Sequence, residues 1–141
     1  MLVLYLVLVG CQKDNAKSGL VQEKETKHYL MRLEYLPEDT TEQLHFLFTI
    51  QLREHVEATD VVSAGLSTVE LFQERLMQLH FGMEEYWQLK VGDASYLPVL
   101  TQFENSYGLT NYGRLHLVFS PPSNSFSFHD FDSWDLRFLD E

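Results

Sequence analysis

Tyr29-Leu30-Met31-Arg32-Leu33-Glu34-Tyr35 and Leu44-His45-Phe46-Leu47-Phe48-Thr49-Ile50-Gln51-Leu52 decide the fold class, because both runs alternate. Tyr29, Met31, Leu33 and Tyr35 are separated by Leu30, Arg32 and Glu34; Phe46, Phe48 and Ile50 are separated by Leu47 and Thr49. Successive side chains of a strand point to opposite faces, so such a run covers a core on one side and meets water on the other. Aromatic and β-branched residues favour the same choice. Pro37-Glu38-Asp39-Thr40 lies between the runs and supplies turn chemistry. The two strands are expected to pair as antiparallel neighbours.

Similar signals recur downstream. Residues 53–66 are irregular, and Ser67-Thr68-Val69-Glu70 then matches a capping box. Leu71, Phe72, Arg75 and Leu76 follow at helical spacing, which predicts a short helix over 68–75. Met77, Leu79 and Phe81 fit helix or strand equally, until Gly82 interrupts the pattern. Tyr86 to Val91 and Ser95 to Leu100, around Gly92-Asp93, read as a hairpin with Pro98 at an edge or bulge. Asn111-Tyr112-Gly113 reads as a turn feeding a strand from Arg114 to Phe119, which Pro121-Pro122-Ser123-Asn124 ends. Ser125-Phe126-Ser127-Phe128 and Trp134, Leu136 and Phe138 offer two more alternating runs. Short strands at regular spacing predict a mostly β chain: a two-sheet β-sandwich with one short α-helix.

The chain has 141 residues, 45% of them apolar and 13% aromatic, which suits one domain with a substantial core. Its single cysteine excludes an internal disulfide. In residues 1–26, Lys13, Lys17 and Lys24 cancel Asp14, Glu23 and Glu25, so the net charge of −11 falls wholly on residues 27–141. Such a domain repels nucleic acid and anionic headgroups, so no nucleic-acid partner is expected.

Catalytic constellations are sparse. No serine occupies a Gly-x-Ser-x-Gly elbow, and His28, His45, His55, His80, His116 and His129 form no metal-binding pair along the sequence. His28, His45 and His116 fall in strand-like runs and read as polar-face residues. Asp130, Asp132 and Asp135 lack the glycine and closing glutamate of a calcium loop. Glu84 and Glu85 would point to opposite faces of a strand. No catalytic residue, metal or cofactor is therefore expected. Tyr86, Trp87, Tyr96, Phe103, Tyr107 and Tyr112 gather in one region and could form an aromatic patch for a protein or glycan partner, although alternation sends about half of such residues inside.

The N-terminus carries a different message. Residues 1–9 are wholly apolar and run into Leu8-Val9-Gly10-Cys11, which resembles the lipobox of bacterial lipoproteins. The resemblance implies cleavage before Cys11 and a diacylglycerol on its thiol. The apolar stretch is about half of the roughly 20 residues that span a bilayer, as a signal h-region is. No Lys or Arg precedes Lys13, so the basic n-region is expected to be missing or truncated here. Read without Cys11, the same stretch is an ordinary buried strand. Gln12-Lys13-Asp14, followed by Asn15, is similar to the Gln-Lys-Asp-acidic signal that sends some Gram-negative lipoproteins to the cell surface. Gln12 next to the cysteine also fits release from the inner membrane.

The implied organisation is a signal peptide over 1–10, a lipidated cysteine and flexible tether over 11–26, and a single domain over 27–141. A tether of roughly 15 residues reaches about 20 Å. The stretch from Arg75 to Leu109, with Phe81, Gly92-Asp93, Leu97-Pro98 and Phe103-Glu104-Asn105-Ser106-Tyr107-Gly108, resembles small outer-membrane lipoproteins of unassigned role. That resemblance implies an immunoglobulin-type sandwich without an activity. The expectation is a non-enzymatic binding or envelope-accessory lipoprotein held to the outer membrane by its lipid. The Gln12-Lys13-Asp14 resemblance implies the cell surface, whereas reading the same residues as a plain solvated linker leaves the face open. The alternative is an envelope enzyme acting on glycan or peptide through carboxylates.

Overall fold

A computed structural model describes residues 4–9, 21–36, 43–58, 60–91, 93–120 and 133–138. In chain order these form β1 (Leu4–Val9), β2 (Val21–Glu25), β3 (Tyr29–Leu36), β4 (Leu44–Leu52), α1 (Val69–Phe81), a 3-10 turn (Met83–Tyr86), β5 (Trp87–Val91), β6 (Ala94–Tyr96), β7 (Leu100–Glu104), β8 (Tyr112–Phe119) and β9 (Ser133–Phe138). One sheet has the order β2-β3-β4-β8-β7 and the other β1-β9-β5-β6, with every pairing antiparallel. The described residues are thus mostly β, in two sheets with one helix.

The alternating runs do what their period requires. β3 and β4 pair with Leu33 opposite Phe48 and Tyr35 opposite Phe46. β8 joins the far side of β4, placing Leu115 opposite Phe48 and Leu117 opposite Phe46. Leu33, Phe46, Leu117 and Phe119 are buried on this inner face. The second sheet contributes Trp87 and Leu89 of β5 to the same core, and the Trp87 ring meets Phe48 edge-on at 4.9 Å. Each such side chain contributes roughly 1.5–3 kcal/mol of apolar burial.

Several local expectations change. Val21–Glu25, expected within the tether, forms β2 and pairs with β3 from Val21 opposite Glu34 to Glu25 opposite Leu30. Backbone bonding orders this polar edge strand, and ion pairs from Arg32 to Glu23 and from Arg53 to Glu25 flank it. Leu4–Val9 likewise forms a strand, paired with β9. The helix is capped by Thr68, whose Oγ1 accepts from the Leu71 N–H at 3.2 Å, so Ser67 and Glu70 do not form the expected capping box. It runs past 75 to Phe81 because Phe72, Leu76 and Leu79 recur along one face that packs on the core. His28 sits in a bend before β3, and Glu84 and Glu85 lie in the 3-10 turn; neither site is a strand.

The hairpin from Tyr86 to Leu100 is cut short. β5 and β6 pair with Leu89 opposite Tyr96, but β6 ends there. Buried Pro98, which cannot donate to a ladder, marks the passage to the other sheet, where Val99 N–H already bonds Val118 O at 2.8 Å. Gly113 lies inside β8, not in a turn: a Cβ there would come within 3.0 Å of the Phe103 ring. The turn falls earlier, with Tyr107 at φ 52° and Gly108 at φ 79° between Ser106 O and Leu109 N–H, bonded at 3.0 Å. Positive φ at both central positions is the signature of a type I′ turn. Pro37-Glu38-Asp39-Thr40 and residues 121–132 lie outside the described residues.

Candidate functional site

The inner face of the five-stranded sheet is covered in two parts. Trp87 and Leu89 of β5 cover one part, and α1 covers the other less completely. Between α1 and the sheet lies a cavity of about 330 Å3. Tyr29 and Met31 of β3, Phe48 and Ile50 of β4, and Gly113 and Leu115 of β8 form its floor; Phe103 of β7 and Trp87 bound it. Arg75, Gln78 and Leu79 of α1, together with Val61, form its cover. Residues 72, 75, 76 and 79 share one helix face, so Arg75 projects from the same stripe as the apolar anchors.

Arg75 also fastens the preceding loop. Its Nη1 donates to Val62 O at 3.0 Å and to Ala64 O at 2.6 Å. Asp60 shapes that loop by accepting the Ser63 N–H at 2.8 Å, and Val62 and Ala64 are buried under it. Val61 is thereby held over the cavity. Arg114, the other charged residue at the lining among the described residues, belongs to the outward set of β8. Its guanidinium lies 5.0 Å above the Tyr112 ring and 3.8 Å from Glu104.

The outer face of the same sheet carries a second constellation. Glu104 Oε1 lies 2.7 Å from His116 Nε2, and His116 Nδ1 lies 2.9 Å from His45 Nε2. The histidines meet because β4 and β8 pair with His45 opposite Val118 and Leu47 opposite His116, which makes the two diagonal neighbours. Sequence reading missed this trio, since its members become neighbours only through strand register. A carboxylate-oriented imidazole is capable of proton transfer. Among the described residues, no group of three or more His, Cys, Asp or Glu side chains is arranged to hold a metal ion.

Of the residues expected to carry function, Cys11, Gln12, Lys13 and Asp14 lie outside the described residues, as do Asp130 and Asp132; Asp135 lies on β9 opposite Val7 and Lys90. The expected aromatic patch is not assembled. Trp87 and Phe103 are buried, Tyr86 and Tyr96 pack on the core, and Tyr107 is left 83% exposed at the β7–β8 loop tip beside exposed Leu109. No described helix is long and apolar enough to cross a membrane, which says nothing of strands. No family model, curated protein or solved structure matches the chain.

Proposed function

We propose that this chain is a lipid-anchored, non-enzymatic binding protein of the bacterial envelope, with the helix-covered cavity as its ligand site. The cavity carries the binding part of the reading. Ligand sites occupy about 300–1,000 Å3 with mostly apolar walls and a few placed polar groups. The space under α1, at about 330 Å3, has that size and that lining.

Leu8-Val9-Gly10-Cys11 supports the anchor, and Gln12-Lys13-Asp14 supports outer-membrane sorting and surface display. The negative charge of the domain leaves attachment to the lipid rather than to headgroup attraction. A protein or glycan partner would meet Tyr107 and Leu109, exposed at the loop tip. An immunoglobulin-like sandwich is part of the same proposal, supported by the contact of Trp87 on β5 with Phe48 on β4, which joins the two sheets.

An envelope enzyme acting on glycan or peptide would be built on Glu104 and His116, whose 2.7 Å contact orients the imidazole. Neither residue lines the cavity, so binding is preferred. Calorimetric titration of the protein with 1-decanol tests the reading. Saturable one-to-one uptake is expected, and Val61→Trp, which fills the space from the loop side, should remove it. Absence of saturable uptake of decanol and of its anionic ten-carbon analogues alike, by the folded, unaltered protein, would overturn the site.

A further inference from the structure

Arg75 occupies the inward stripe of α1 among Phe72, Leu76 and Leu79, where an apolar residue would serve packing better. A buried or half-buried cation is ordinarily paired with a carboxylate. Arg75 has no carboxylate within 4.0 Å among the described residues, and its protein contacts run from Nη1 to two loop carbonyls. A guanidinium carries five N–H donors in a rigid fork. The donors on Nη2 and Nε therefore have no protein partner among the described residues.

The surroundings sharpen the point. The chain has 21 acidic and 10 basic residues, yet among the described residues no Asp or Glu lines this cavity. Arg114 at the rim is already engaged by Glu104 and Tyr112. The net charge of −11 works against any anion in general, so an anion preference here must come from a local group.

Building on the cavity as a ligand site, we infer that its ligand is a single-chain anionic amphiphile, with its apolar tail along Met31, Phe48 and Ile50 and its carboxylate or phosphate head on the free donors of Arg75. Planar donors in this geometry meet either head in a two-pronged contact, and charge-assisted hydrogen bonds are about twice as strong as neutral ones.

The experiment titrates the full chain with decanoate, decyl phosphate and 1-decanol at equal chain length, below their aggregation limits, by calorimetry. At least one of the anions is expected to bind about tenfold or more tightly than decanol, on the scale of hydrogen bonds to charged groups. Arg75→Met should remove that difference and Arg75→Lys should keep part of it. Because Arg75 also holds the loop at Val62 and Ala64, the comparison of heads in the unaltered protein decides by itself. Decanol binding as tightly as both anions would overturn the anionic head while leaving the apolar site intact. No binding of any of the three would overturn the site together with the inference.

Discussion

His45 Nε2 and His116 Nδ1 lie 2.9 Å apart, and the other nitrogen of His116 lies 2.7 Å from Glu104 Oε1. An ionised carboxylate only accepts, so Glu104 fixes a proton on His116 Nε2. In neutral His116, Nδ1 then offers its lone pair to the Nε2–H of His45. Nitrogen NMR of the unaltered protein should report the Nε2–H tautomer for both rings. Glu104→Leu should release that preference at His116 while costing about 1 kcal/mol or less, as half-exposed pairs do. An Nδ1–H tautomer at His116 would reverse the direction of the chain.

Trp87 is 1% exposed and meets Phe48 across the sheets. Trp87→Ala is expected to cost about 3–5 kcal/mol, a large part of a domain's ordinary stability of roughly 5–15 kcal/mol. Urea denaturation measures it. A loss below 1 kcal/mol would mean that the two sheets do not share one core.

The helix start separates two neighbouring hydroxyls. Thr68 Oγ1 accepts from the Leu71 N–H, so Thr68→Ala should cost about 1 kcal/mol. Ser67→Ala, one residue outside the cap, should stay within a few tenths of a kcal/mol. Equal losses, or a larger one at Ser67, would move the helix start to the position expected from the capping-box pattern.

Tyr107 pays for its position at φ 52°, a region costly for a residue with a Cβ. Asparagine tolerates it, and Asn-Gly is the favoured pair for such a turn. Tyr107→Asn should therefore raise stability by about 0.5–1 kcal/mol in thermal or urea melts. A lower melting temperature would show that the exposed ring makes a stabilising contact in the fold.

What the sequence disclosed follows from how far each signal reaches. Alternation is local, so β3, β4 and β8 are readable from Tyr29, Phe46 and Leu115 with their neighbours. β2 is not, because Val21-Gln22-Glu23-Lys24-Glu25 has no apolar face and is ordered by its ladder with β3. Gly113 reads as a turn residue from its neighbours, whereas its actual constraint is the Phe103 ring on another strand. The cavity is invisible for the same reason. Arg75 reads as an ordinary helix residue until α1 is laid over the sheet and its stripe is seen to face Met31 and Phe48. His45 and His116 become partners only when the register of β4 and β8 is known.

Leu4–Val9 can be a strand of the folded protein or the leader of a lipoprotein, but not both in one mature molecule. Cleavage before Cys11 would remove β1 and leave β9 with β5 as its remaining neighbour in the order β1-β9-β5-β6. A bared strand edge is a site for new pairing, so the mature domain would need that edge covered or kept short. The buried set of Leu33, Phe46, Trp87, Leu89 and Leu117 comes from other strands than β1. Expressed in a Gram-negative host behind a basic n-region, the protein is therefore expected to mature to a folded chain beginning at a lipidated Cys11, as read by intact mass. Cys11→Ala should abolish lipid labelling and release the domain from membranes, because two or three acyl chains hold firmly where one does not. A mature protein that keeps Leu4–Val9, or an alanine variant that stays membrane-bound and labelled, would assign these residues to the sheet and end the lipoprotein proposal.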